Sequence, residues 1–88
     1  MKLIILESHL WDDRTPTRTA LEAAEIAQGF ARCNRIDWGE PIGAYLSGTR
    51  EGVLSWTVST RWPEIGGNLT VIIADATGEI VDWKFYPA

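Results

Sequence analysis

Only one stretch of this 88-residue chain carries a helical period, and the apolar residues after Pro41 recur at every second position instead. Ala23, Ile26, Ala27, Phe30 and Cys33 are spaced three and four apart, which puts them on one face of a helix. A lone amphipathic helix has no second helix to bury that face, so it must lie on a sheet. Small alanines let the face sit close, with Ile26 and Phe30 as the larger anchors, while Glu22, Glu25, Gln28 and Arg32 point away. Thr15-Pro16 offers a capping hydroxyl before a proline at the first helical position, and Thr19-Ala-Leu-Glu22 forms a later capping box. Asn34 is the expected stop.

The rest of the chain reads as strands and turns. Lys2 to Leu6 is a short strand or an anchoring arm, and His9 to Arg14 a polar connector. After the loop closed by Trp38-Gly-Glu-Pro41, Ile42, Ala44 and Leu46 alternate with Gly43, Tyr45 and Ser47. Gly48 to Gly52 supplies a turn, and Leu54, Trp56 and Val58 alternate in the next strand. Trp62-Pro63 breaks the pattern, because proline is excluded from a central ladder. Leu69 to Asp75 is apolar on both faces, as a central strand would be. Asp75-Ala-Thr-Gly78 then reads as a hairpin in which Gly78 takes the left-handed conformation. In the last strand Val81, Trp83 and Phe85 share one face and Asp82, Lys84 and Tyr86 the other. The expectation is a single α+β domain over residues 1–88, one N-terminal helix packed on a curved antiparallel sheet of about four strands. Trp56 and Trp83 are expected in its core.

Composition narrows the chemistry. Twelve acidic against eight basic residues give a net charge of −4, and the arginines are scattered, so phosphate backbones are repelled and nucleic acid is not an expected partner. A positively charged protein is the natural complement, although the same charge also keeps a small domain soluble. One cysteine, Cys33, allows no internal disulfide, and one histidine, His9, with no close ligand pair falls short of zinc's usual ligand set. No metal, no cofactor and no catalytic residues are expected. Asp12-Asp13, Glu40, Glu51, Glu64 and Asp75 read as solvated loop charges, since paired catalytic carboxylates need a deep cleft between them. Leu3-Ile-Ile-Leu6 is shorter than the roughly 7–15 apolar residues of a signal-peptide core, and than the roughly 20 of a membrane span. No membrane association and a cytoplasmic location are expected.

What remains is a recognition surface. Trp38 and Trp62 sit in predicted loops beside Glu40, Glu51 and Glu64, and tryptophan is among the residue types that dominate interface hot spots. Loop tryptophans also fold back to cap small cores, and that reading stands beside the first. Trp11 is undecided.

Trp56-Thr-Val58, the Gly66-Gly67 approach and Leu69-Thr-Val-Ile-Ile-Ala-Asp-Ala-Thr-Gly-Glu-Ile-Val81 together resemble the NTF2-fold immunity proteins of bacterial polymorphic toxin systems. The same segment is similar to PepSY-like domains. The resemblance implies a helix wrapped by a curved antiparallel sheet, cystatin-like or small NTF2-like, with no catalytic residues to carry over. It implies a protein that binds and neutralises a cognate toxin; tryptophan anchors and acidic charge place the expected contact at Trp38, Glu40, Glu51, Trp62 and Glu64. The alternatives are a peptidase inhibitor that wedges the Trp62-Pro63 turn and the N-terminal arm into a protease cleft, and a small-ligand-binding NTF2-like domain. Exposed strand edges also offer a route to a homodimer.

Overall fold

The computed structural model describes residues 1–64 and 66–87. Its single helix, α1, spans Ala20–Cys33 and is capped by Thr19 rather than Thr15. The Thr19 hydroxyl accepts the Glu22 N–H, and the Glu22 carboxylate accepts the Thr19 N–H, both at 3.1 Å. Asn34 is the C-cap, as expected. The buried stripe is Ala20, Ala23, Ala24, Ala27 and Ala31. It is rotated from the expected one: Ile26 and Phe30 are half-buried at its flank, and Cys33 is exposed rather than buried. Both stripes have helical spacing. The all-alanine one faces the sheet because it allows the closest approach of the helix axis, leaving bulkier side chains to pack at the margins.

The sheet has five strands in sequence order: β1 (Leu3–Ile5), β2 (Ile42–Gly48), β3 (Leu54–Ser59), β4 (Asn68–Ala74) and β5 (Ile80–Tyr86). β2 to β5 form an antiparallel meander, as their alternation predicts. The expectation of about four antiparallel strands is corrected by β1, which adds a fifth and runs parallel to β2 with Leu3 opposite Ile42. The helix is the crossover that a parallel pair requires. The fold is thus α+β, one helix on a mixed sheet. Ile42, Ala44, Leu46, Trp56, Val58, Leu69, Val71 and Ile73 meet the helix alanines to form the core.

Trp56 is buried as expected, whereas Trp83 is 48% exposed. Register places Trp83 opposite Val71, on the helix side of the sheet. α1, however, packs over β1 to β4 and does not reach β5. Trp83 touches the helix only at its margin, with its ring centroid 5.3 Å from that of Phe30. For Trp83 the period was right and the cover was not; Val81, expected on the same face, lies at a β-bulge opposite Ile72 and Ile73 that interrupts the alternation. The other face of the sheet carries no helix. Among the described residues, no helix is long and apolar enough to cross a membrane.

The β4–β5 hairpin does more than turn the chain. Asp75 is not the solvated loop charge expected: it is only 2% exposed, and its carboxylate accepts the backbone N–H groups of Thr17 (2.7 Å) and Arg18 (2.9 Å) and the indole N–H of Trp56 (3.1 Å). The Arg18 guanidinium donates in turn to the Asp75 carbonyl. It lies across Gly78, where a Cβ would come 2.9 Å from it and where φ is +77°, so glycine is required twice over. These bonds tie the entry to α1 onto the far end of the sheet and orient the core tryptophan.

Burial alone would raise the Asp75 pKa, but the donors from Thr17, Arg18 and Trp56 outweigh it and hold the carboxyl below its ordinary 3.8. A depressed folded-state pKa gives stability that is fully present above the unfolded value and lost as pH falls through the folded one. Asp75→Asn leaves these donors poorly matched and should lower unfolding free energy by about 2–4 kcal/mol in urea titrations at pH 7. The gap between the two proteins should hold steady from neutral pH down to about 5 and narrow below about 4. A gap independent of pH down to 2 would mean that the Asp75 charge contributes nothing.

Candidate functional site

At the end of the sheet opposite the Asp75 hairpin, two loops meet: residues 37–41 before β2 and residues 60–67 between β3 and β4. Backbone bonds join them, from Arg61 N–H to the Gly39 carbonyl and from Trp62 N–H to the Pro41 carbonyl, both at 2.8 Å. Arg61 takes a left-handed φ of 54°, a conformation that costs an L-residue about 1–2 kcal/mol. Its guanidinium is paired with Asp37, and its side chain lies on Gly39. These contacts hold the backbone in that turn, and the turn sends the next residue, Trp62, back over the open face of the sheet.

Trp62 rests on Gly43 of β2. A Cβ at position 43 would lie 2.8 Å from the Trp62 Cγ, so only glycine leaves room for the indole. Gly43 pairs with Ser59, Ser59 with Thr70, Thr70 with Lys84 and Asn68 with Tyr86, so one row of the open face runs out from beneath the indole. Ser59, Thr70 and Asn68 floor a cleft of about 370 Å³, walled by Trp62, Pro63 and Tyr86 and rimmed by Glu64. Ser59 and Thr70 share a hydroxyl–hydroxyl bond of 3.2 Å, and the Asn68 side-chain oxygen accepts the Gly66 N–H at 3.1 Å. Lys84 lies 5.1 Å from the Tyr86 ring centroid, which leaves Trp62 as the open aromatic platform.

The cleft pairs aromatic surface with a solvated carboxylate over a floor of neutral hydroxyl and amide groups. Such a lining suits a cationic side chain, attracted by the indole quadrupole and by Glu64 together. His9 packs edge-on against Tyr45 on the open face, centroids 5.5 Å apart, while Cys33 ends the helix on the other side of the sheet. Among the described residues, no three His, Cys, Asp or Glu side chains are grouped to hold a metal ion.

Of the residues singled out from the sequence, four are gathered at this end. Trp62 and Glu64 line the cleft, Glu40 accepts the Lys2 backbone N–H at 2.6 Å on the β1 side, and Trp38 is half-buried against the core. Glu51 is not among them. It stands in the β2–β3 turn at the opposite end, near the 65% exposed Trp11 and the Arg50 guanidinium that covers that ring at 4.7 Å. Ser59, Asn68, Thr70 and Tyr86 were missed as site residues. Their signal was present in the alternation that puts Tyr86 and Lys84 on the face opposite Trp83.

Comparison of the chain with protein-family models, curated proteins and solved structures found no match. The functional reading therefore rests on this geometry and on the sequence pattern itself.

Gly43→Ala should displace the Trp62 indole and lower stability by about 1–3 kcal/mol, as overpacking does elsewhere. The check is the ¹⁵N–¹H spectrum, in which the Trp62 indole resonance should move while that of Trp56 stays in place. An unmoved Trp62 resonance would show that the two residues are not in contact.

Proposed function

We propose that this protein is a non-enzymatic, cytoplasmic binding protein that neutralises a cognate bacterial toxin, taking a lysine or arginine of that toxin into the Trp62 cleft. One observation carries the reading: Trp62, Tyr86 and Glu64 converge on a single polar-floored cleft of about 370 Å³. The net charge of −4 favours encounter with a basic surface, and Glu40 lies at the same end of the sheet to extend the acidic rim. The strand and hairpin pattern from Trp56 to Val81 adds the resemblance to immunity proteins. Glu51, at the far end, has no part in this contact.

A peptidase inhibitor is the second reading, supported by the exposed Pro63-Glu64 tip beside Trp62. It is weakened because the N-terminal arm, needed as part of the wedge, is paired into the sheet as β1. The small-ligand reading calls for a pocket lined by aspartate or histidine, and neither lines this cleft.

The test is co-expression with the toxin encoded beside this gene, scored by growth, followed by calorimetry on the purified pair. Rescue of growth is expected, with Trp62→Ala and Glu64→Arg each weakening the complex at least tenfold, about 1.4 kcal/mol or more. Glu51→Arg should bind as wild type. Failure to rescue growth or to bind the toxin sinks the immunity reading, and inhibition across a protease panel would then favour the second. Weakening by Glu51→Arg alone would move the site to the other end of the sheet.

A further inference from the structure

β5 is an edge strand that the fold leaves bare on three sides. Val81 is 58% exposed, Trp83 48%, Phe85 39% and Tyr86 39%, because α1 stops short of this strand and no described residue pairs with its outer edge. A seven-residue edge strand with four exposed apolar side chains is a template for pairing with another strand. We propose that the occupant is a second copy of this chain, pairing β5 antiparallel to β5 about a two-fold axis through Trp83.

The strand's own sequence argues for that partner. A two-fold axis normal to the sheet keeps each side chain on its own face, so residue i must oppose a residue an even number of positions away. Centred on Trp83, the pairing sets Asp82 of each strand opposite Lys84 of the other. Two cross-strand ion pairs then form on the open face, and Trp83 and Phe85 from both copies fill the helix-side gap between the two Phe30 margins. Centring on Asp82 or on Lys84 instead puts like charges face to face, which is destabilising across strands. The Asp-Trp-Lys order thus disfavours the two neighbouring registers and gives the Trp83-centred one its ion pairs.

The backbone agrees. The Trp83 N–H is bonded not to β4 but to its own neighbour, the Asp82 carboxylate, at 2.9 Å, so it points to the free edge. In antiparallel pairing alternate residues point the same way, so Trp83 and Phe85 offer their backbone groups outward, while Val81 lies at the β-bulge opposite Ile72 and Ile73. The Trp83-centred register sets the two Trp83 backbones opposite one another. On pairing, the carbonyl of the facing Trp83 replaces the Asp82 carboxylate, which is released to meet Lys84 of the other copy. The result is one continuous sheet with both helices on one side and both Trp62 clefts on the other.

Sedimentation equilibrium of the free protein, together with charge-reversed variants, tests this without any toxin and so independently of the proposed function. The wild type should approach twice its 9.8 kDa monomer mass at micromolar to millimolar concentration. Lys84→Asp and Asp82→Lys should each weaken the dimer about tenfold or more, since two symmetric pairs turn from attractive to repulsive. The double variant Asp82→Lys/Lys84→Asp should restore it. A monomer at every concentration overturns the proposal, as does a dimer indifferent to the single reversals or not recovered by the double one.

Discussion

The carboxylate of Asp75 is the contact on which the rest of the structure leans. It gathers donors from the segment leading into the helix and from the core tryptophan, at sequence separations of 57, 58 and 19 residues. Each is a local choice made non-locally. Without Asp75 the helix N-terminus would lose its tether to the sheet, and the Trp56 indole N–H would be buried without a partner. An ionised group at 2% exposure is tolerable only because several N–H groups stand in for water. The hairpin is therefore both a turn and a clamp, with Gly78 admitting the Arg18 guanidinium over its backbone.

The clamp sits at one end of the sheet, and the other end is thereby left to the loops. The helix covers one face of β1 to β4 and leaves the second face open, so the Trp62 cleft needs no space carved out of the core. It is built on the surface from strand residues that alternate away from the helix, closed by a turn that Arg61 holds in a left-handed conformation. An 88-residue chain with an alanine-faced helix has little interior to spare. A cleft placed on the uncovered face avoids weakening that interior.

The helix, its C-cap and the meander from β2 to β5 were legible in the sequence because each is written in a local period. The rotation of the helix was not, since two stripes share the helical spacing and only the clearance to the sheet chooses between them. Leu3-Ile-Ile is too short to declare a partner, so the parallel pairing of β1 could not be read. Trp83 shows the limit of alternation: its face was right, but whether a helix reaches β5 depends on the width of the finished sheet. For the site, Trp62 and Glu64 were found through residue type in a loop, and Glu51 was grouped with them although topology sends it to the other end. Asp75 was read as turn chemistry and as a solvated charge, because its two backbone partners lie almost two thirds of the chain away.

The claim at the centre is that the Trp62 cleft recognises a cationic side chain. Titration of ¹⁵N-labelled protein with a short arginine-containing peptide, beside the same peptide carrying citrulline, tests it most directly. Saturable shifts at Ser59, Trp62, Glu64, Asn68, Thr70 and Tyr86, seen with arginine and largely lost with citrulline, are the predicted result. Shifts that gather instead around Trp11 and Arg50, or that are the same for both peptides, would contradict it.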